Sequence, residues 1–121
     1  MHRVSGIGGF FFRAKDPAAI AAWYRDNLGI NPSPESADDE PWVQEAGETV
    51  FTASPGSMEQ FDAPDKSWGI NFRVADLDGM VAQLRANGTE VAVDPTDYGF
   101  GRFATLADPE GNPIQLWQPE G

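Results

Sequence analysis

Two stretches of the chain, residues 9–27 and residues 69–87, share one pattern of apolar and polar positions. Each begins with a short run rich in β-favouring side chains and continues with apolar side chains at helical spacing. The stretches align without a gap, and their identical pairs are Gly9 and Gly69, Phe12 and Phe72, Arg13 and Arg73, Asp16 and Asp76, Ala22 and Ala82, Arg25 and Arg85, and Asn27 and Asn87. Such internal repetition predicts two copies of one structural unit.

Each copy contains one predicted helix. In the first, Asp16 can cap the N-terminus, Pro17 takes the first helical position and Gly29 provides the stop. In the second, Asp76 repeats the cap, and the helix is predicted to end near residues 87–88. The predicted apolar stripe of the second helix consists of Leu77, Met80, Val81 and Leu84.

Short strands separated by turn residues are predicted on either side of the helices. They cover residues 7–14, 42–46 and 49–53 in the first half, and residues 68–74, 90–93, 102–107 and 113–117 in the second. Residues 107–111 form a predicted turn, because Pro fixes φ and Gly accepts positive φ. We therefore predict a single α+β domain over residues 1–121, with a first βαβββ module at 5–54, a linker at 55–67 and a second βαβββ module at 68–119.

Composition agrees with one compact domain. The 121 residues are 40% apolar and 22% charged, which is ordinary for globular proteins. No apolar run approaches the roughly 20 residues of a membrane-spanning helix, and the first residues lack a signal-peptide pattern. We therefore expect a cytoplasmic protein that does not bind membranes.

The formal net charge of −11 limits the classes of ligand. Nucleic-acid binding is disfavoured, because it depends on lysines and arginines that displace counterions. A cationic ligand is favoured and an anionic one would need local arginines, although the acidic residues are also explained by solubility alone. The chain has no cysteine, which excludes thiolate chemistry, and its only histidine, His2, is expected to be a solvated terminal residue.

Three segments carry a family resemblance: FFFRAKDPAAIAAWYRDNLGI at residues 10–30, NFRVADLD at 71–78 and ADPEGNPIQLW at 107–117. They resemble the vicinal oxygen chelate superfamily, which includes glyoxalase I, bleomycin-resistance proteins and extradiol dioxygenases. The resemblance implies paired βαβββ modules whose curved mixed sheets form a trough. It also implies a homodimer, because the family commonly completes its troughs by pairing modules. It does not identify the reaction, since one fold serves many functions.

Metal-dependent members hold one divalent ion with four side chains, and the resemblance places these positions at Gly9, Gly69, Phe51 and Gln115. The two glycines have no side chain and Phe51 has no donor atom, so only Gln115 offers an oxygen. One neutral amide is insufficient for a divalent ion. We therefore predict neither a metal nor another cofactor at the family position.

Strand alternation places further side chains on the face of these four positions. Together they predict an apolar and aromatic trough, which is typical of small-molecule pockets, although the same rings could fill the trough as core. The segment 97–102 is either a loop that covers a ligand or an edge loop. The predicted ligand-binding residues are Phe11, Phe51, Asn71, Arg73, Tyr98, Phe100, Arg102, Gln115 and Trp117.

No nucleophile and base can be paired along the sequence, so no catalytic residue is assigned. Arg13 and Arg73, at equivalent repeat positions, are expected to form structural ion pairs. The leading hypothesis is a metal-free homodimer that binds a small aromatic or amphipathic molecule. A second hypothesis is a divergent lyase, isomerase or dioxygenase-like enzyme whose catalytic residues the sequence does not identify. A third is a structural or regulatory dimer with a closed trough.

Overall fold

The computed structural model describes residues 1–56, 58–61 and 63–120. In chain order its elements are α1 (Pro17–Leu28), a short 3-10 helix (Glu59–Phe61), β1 (Ile70–Arg73), α2 (Leu77–Ala86), β2 (Ala92–Val93), β3 (Gly101–Ala107) and β4 (Pro113–Pro119). The strands form one curved mixed sheet in the order β1-β4-β3-β2, with β1 parallel to β4 and the other neighbours antiparallel. The predicted α+β class is confirmed.

Both helices begin at the predicted caps. The Asp16 carboxylate accepts a hydrogen bond from the backbone N–H of Ala19 at 3.1 Å, and the Asp76 carboxylate accepts one from Gly79 at 3.0 Å. Each such cap contributes about 1 kcal/mol, because it satisfies a donor that the first helical turn leaves unpaired. Gly29 ends α1 with a φ of 71°, a left-handed conformation that glycine adopts without steric cost.

The core lies between the sheet and the two helices. The stripe of α2 and two residues of α1 pack on alternate residues of β3 and β4. The buried apolar residues are Ile20, Tyr24, Leu77, Val81, Leu84, Val91, Ala104, Leu106, Ile114 and Leu116. Because side chains alternate along a strand, the intervening residues of β3 and β4 point to the opposite side of the sheet.

The second half of the chain folds as predicted. Strands β1 to β4 fall within or beside the predicted ranges, and α2 supplies the crossover that two parallel strands require. The predicted turn at residues 107–111 joins β3 to β4. There the N–H of Gly111 donates to the carbonyl of Asp108 at 2.9 Å, and Gly111 has a φ of 83°.

The first half departs from the prediction. Throughout residues 1–56 the structure contains α1 and no strand, so the strands predicted at 7–14, 42–46 and 49–53 are wrong. An apolar pattern shows that a segment suits a strand, but a strand also needs a neighbour that takes its backbone hydrogen bonds. Phe11 and Phe51, predicted to line the trough, are instead 94% and 93% exposed.

The module and linker boundaries stay predictions. Three residues lie outside the described ranges: 57 and 62 in the predicted linker, and 121 at the end of the predicted domain. Within the ranges that the structure does describe, neither helix has the length and apolar content needed to cross a bilayer.

Candidate functional site

The candidate site is the face of the sheet that points away from the helices. Strand register arranges its side chains in rows across β1, β4 and β3. We call this set the open face, and its rows are Arg73–Trp117–Phe103, Asn71–Gln115–Thr105 and Pro113–Ala107. Four of the predicted ligand-binding residues, Asn71, Arg73, Gln115 and Trp117, are therefore brought together on this face.

Four aromatic rings cluster at one end of the open face. The rings of Phe103 and Trp117 are parallel, with centroids 6.3 Å apart and an interplanar angle of 4°. Tyr98 and Phe100 each meet Phe103 edge to face with centroids 5.9 Å apart, and they stack on each other at 5.7 Å. Phe100 is 61% exposed and Tyr98 47% exposed, so half of this aromatic cluster presents its rings to solvent.

Two contacts fix the loop that carries the exposed rings. The indole N–H of Trp117 donates to the carbonyl of Phe100 at 3.1 Å, and the hydroxyl of Tyr98 donates to the Asp94 carboxylate at 2.6 Å. The second bond lowers the pKa of Asp94, with help from the N–H of Thr96, and raises the pKa of Tyr98. The carboxylate and the neutral phenol therefore persist together over a wide pH range.

Gly101 lets this loop lie close to β4. Its φ of 145° belongs to the region that favours glycine, and a Cβ at this position would collide with the Trp117 indole and lie 2.7 Å from the Gln118 carbonyl. The glycine thus permits the close approach that places Phe100 beside Trp117.

The centre of the open face is polar. The side-chain amide of Asn71 donates to the Gln115 side-chain oxygen at 2.7 Å, across the parallel pair β1 and β4. Thr105 is the register partner of Gln115 on β3. The row therefore combines two amides and a hydroxyl, groups that orient a ligand by hydrogen bonding without charge.

The residues at the four family positions do not fit a divalent ion. Gly9 and Gly69 have no donor side chain, the ring of Phe51 lies exposed, and the one oxygen available, on Gln115, already accepts from Asn71. Over residues 1–56, 58–61 and 63–120, no three His, Asp or Glu side chains come close enough to hold a metal ion.

Phe61 covers Gly69 in this structure. A Cβ on Gly69 would lie 2.6 Å from two atoms of the Phe61 ring, so the ring takes the space that a side chain at this position would need. Phe61 also borders an open groove of about 880 Å³ together with Thr105, Ala107 and Pro113 at the other end of the open face. The 3-10 helix thus closes part of the predicted trough with a side chain of the protein itself.

Arg73 is held by backbone oxygens. Its guanidinium donates to the carbonyl of Glu48 and, at 2.8 Å, to that of Glu45, so the turn between them lies over this corner of the sheet. Gly47 in that turn has no side chain, and a Cβ there would lie 2.9 Å from the guanidinium carbon. Arg73 therefore joins the first half of the chain to the sheet, and the ion pair expected for it is replaced by carbonyl contacts.

Arg102 lies on the opposite side of the sheet from the open face. Its guanidinium makes two hydrogen bonds to the Asp78 carboxylate of α2, at 3.0 and 3.2 Å, which hold the pKa of Asp78 below its usual range. The predicted set therefore divides: Arg102 is separate from the open face, and Phe11 and Phe51 are almost fully exposed. Phe103 and Phe61 were not predicted. Alternation along β3 from Thr105 would have found Phe103, whereas Phe61 stands in a linker without a periodic signal.

A buried hydrogen-bond network ties α1 to the turn between β3 and β4. The Tyr24 hydroxyl donates to Asp108 at 2.6 Å, and the Asn112 amide donates to the same carboxylate oxygen at 2.8 Å. Backbone N–H groups of Glu110 and Asn112 bind the second oxygen at 2.9 and 3.0 Å. Burial, and then the hydrogen bond and charge of Asp108, raise the pKa of Tyr24 far above its ordinary value. The network holds α1 against this turn.

Known proteins resemble this chain in sequence. A family model described as a glyoxalase-like domain matches residues 9–117. The CFP32 proteins of Mycobacterium bovis and Mycobacterium tuberculosis, whose glyoxylase name is provisional, are 38% identical over 53 residues. That match covers 43% of this chain and 20% of each relative, so the aligned part spans about one fifth of the length of these proteins.

Solved structures share the fold. TnmS3, described as an antibiotic binding protein from Streptomyces sp. CB03234, is 24% identical with a TM-score of 0.66, covering 99% of this chain and 100% of that one. A glyoxalase/bleomycin resistance protein from the same organism is 25% identical with a TM-score of 0.50, covering 86% and 92%. The family model extends over most of the residues, and this chain therefore belongs to the glyoxalase-like domain family.

Proposed function

We propose that this protein binds a small aromatic or amphipathic molecule on the open face without a metal ion. The observation that carries the proposal is the aromatic cluster, in which the exposed rings of Tyr98 and Phe100 stand beside Phe103 and Trp117. Aromatic rings gain about 0.5–1.5 kcal/mol from a stacked or edge-to-face partner beyond the area they bury. A planar guest that contacts this cluster would therefore be stabilised.

The polar row supplies orientation. Once Asn71 donates to Gln115, the carbonyl oxygen of Asn71 and the amide nitrogen of Gln115 are the polar atoms that this pair offers to a guest. Neither is charged, and the net charge of the chain is −11, so neutral and cationic guests are favoured over anions. TnmS3, whose description is antibiotic binding, supports the same class of function on a similar fold.

A ligand screen tests the proposal. Neutral and cationic aromatic molecules are added to the protein, and tryptophan emission and the melting temperature are followed. A guest that binds only the folded state raises the melting temperature by mass action. Trp117→Phe keeps a ring at the site but removes the indole N–H, whereas Trp117→Ala removes the ring. We expect binding to survive the first change and to be lost with the second; equal binding by both variants would place the guest elsewhere.

We also propose that the protein is a homodimer. Large apolar side chains that are exposed in the single chain concentrate in its first half, and they include Val4, Ile7, Trp42, Val43, Val50 and Phe51. Surfaces of this kind are usually covered by a partner, and a two-fold pair of identical chains covers the same patch on both. Light scattering at micromolar concentration should give twice the chain mass, and a monomer mass would contradict the proposal.

A further inference from the structure

A second groove, of about 600 Å³, lies beside the N-terminal segment. Its walls are formed by Phe11, Phe12, Arg13, Lys66, Trp68 and Asn112. None of these residues belongs to the open face or lines the groove beside Phe61. The two grooves therefore differ in position and in the chemistry of their walls.

The second groove is basic in an acidic protein. The chain has 19 Asp and Glu residues against 8 Lys and Arg, yet Arg13 and Lys66 line the same groove. Over residues 1–56, 58–61 and 63–120, neither of them forms an ion pair within 4.0 Å. Other arginines are engaged within the chain: Arg25 by Asp26, Arg102 by Asp78, and Arg73 and Arg85 by backbone carbonyls.

The acidic residues of the neighbouring turn accept hydrogen bonds from the protein. Both oxygens of Glu110 accept from backbone N–H groups, at 2.6 Å from Lys15 and at 3.1 Å from Asp16. Asn112 lines the groove, and its amide is directed to the buried Asp108 carboxylate at 2.8 Å. These bonds hold both carboxylates against the protein.

The remaining walls are aromatic. Phe12 and Trp68 have ring centroids 6.1 Å apart, and Phe12 is anchored to the core by an edge contact with Tyr24 at 5.8 Å. Rings beside cations suit a guest with a planar apolar body and one anionic group, because the ring buries apolar area while the anion meets two positive charges.

We propose that this groove binds a small aromatic anion, an aryl carboxylate or aryl sulfonate, with its ring against Phe12 and Trp68 and its anionic group near Arg13 and Lys66. The proposal is independent of the function assigned to the open face, which favours neutral and cationic guests. The second groove would bind anions, which the net charge of −11 disfavours elsewhere on the surface.

The test compares two probes with the same ring system. 2-Naphthalenesulfonate carries the anion and 2-naphthol is neutral below its own ionisation range; both are titrated by calorimetry at pH 7 and low salt. We expect the affinity of the sulfonate to fall as salt is raised, while that of the naphthol, a neutral aromatic that the open face also accepts, stays constant. Equal salt responses of the two probes would overturn the proposal without any variant.

Variants then locate the site. Arg13→Gln with Lys66→Gln should weaken the sulfonate by about tenfold or more and the naphthol by less than about twofold, because each lost charge contact weakens binding by a few-fold. The matched control is Arg3→Gln with Lys15→Gln, which removes the same charge from exposed positions outside the groove. If the control variant lost as much affinity for the sulfonate as the groove variant, the loss would follow from net charge alone. That outcome would overturn the proposal.

A third variant separates the two sites. Trp117→Ala, on the open face, should leave sulfonate binding unchanged. If this change abolished it, the anion would belong to the open face and the second groove would not be a site. Melting curves for each variant show whether the fold is intact, and the salt dependence of the unaltered protein still decides the proposal if a variant does not fold.

Discussion

The ring of Phe103 lies parallel to the indole of Trp117 across β3 and β4, with centroids 6.3 Å apart and planes 4° apart. Both residues point to the side of the sheet opposite the core, so their contact is not required to fill the interior. The edge-to-face contacts of Tyr98 and Phe100 with Phe103 make this ring the centre of the aromatic cluster. Binding on the open face should therefore depend on Phe103 as much as on Trp117.

Phe103→Leu tests this dependence, because leucine keeps apolar volume and removes the ring. We expect affinity for an aromatic guest to fall by up to about tenfold, the equivalent of the ~0.5–1.5 kcal/mol attached to one aromatic pair. Titration with tryptophan emission as the signal measures the change. Phe51→Leu is the matched control, since Phe51 is 93% exposed and separate from the cluster. If Phe51→Leu lost more affinity than Phe103→Leu, the result would support the trough predicted from sequence, in which Phe51 lines the ligand site.

Phe61 and Gly69 provide a test of how far the open face is closed. Gly69→Ala places a methyl group where the Phe61 ring lies, so it should cost about 1–3 kcal/mol of stability by overpacking. In a Phe61→Ala background the same change should cost almost nothing. Chemical denaturation of the two single variants and the double variant measures this coupling, and additive costs would show that the ring and the glycine are not in contact.

The same variants distinguish a binding face from a closed one. If Phe61 restricts access, Phe61→Ala should admit larger aromatic guests to the groove beside Thr105 and increase their affinity. Loss of stability without any gain in binding would favour the hypothesis of a structural dimer whose trough is filled by its own side chains.

Tyr24→Phe should destabilise the fold by about 1–3 kcal/mol, because it leaves the buried Asp108 carboxylate without its shortest hydrogen bond. Tyr98→Phe is the matched control. It removes the same atom from an exposed hydrogen bond of the same length, 2.6 Å to Asp94, and should cost less than about 1 kcal/mol. Urea unfolding of both variants measures the difference. Equal losses would mean that burial adds nothing to the Tyr24 contact.

Alkaline pH should reveal the raised pKa of Tyr24. In the unfolded chain this phenol loses its proton near pH 10, whereas in the folded protein burial and Asp108 keep it protonated to higher pH. The contribution is fully present below about pH 10 and is lost as the pH rises above that value, since the unfolded state then binds fewer protons. The stability difference between the protein and Tyr24→Phe should therefore shrink from pH 9 to pH 11. A constant difference would contradict this assignment.

Local signals in the sequence predicted the helices and the second module. Asp16, Asp76 and Gly29 act on neighbouring backbone groups, so their effect does not depend on the rest of the fold. The turn ending at Gly111 is local as well, and it fixes the register of β3 and β4. The strands predicted in the first half depended on partners distant in sequence, and a pattern of apolar residues does not identify those partners.

The candidate site was predictable to the extent that it follows from alternation. Asn71, Gln115 and Trp117 share a face because successive strand residues point to opposite sides. Arg102 was misplaced because it shares the helix-facing side of β3 with Ala104 and does not lie on the face of Phe103 and Thr105. Phe61 could not be predicted, since the chain between the modules carries no periodic pattern and its path over Gly69 is set by tertiary packing.

The central claim is that an aromatic guest binds the open face without a metal ion, and one calorimetric comparison tests it most directly. A guest from the screen is titrated into protein dialysed against EDTA, and then into the same protein supplied with one equivalent of Zn²⁺, Ni²⁺ or Mn²⁺. We expect the same affinity in every titration, and we expect Phe103→Leu to reduce it in each. Binding that appears only after a metal is added, and that Gln115→Ala abolishes, would contradict it.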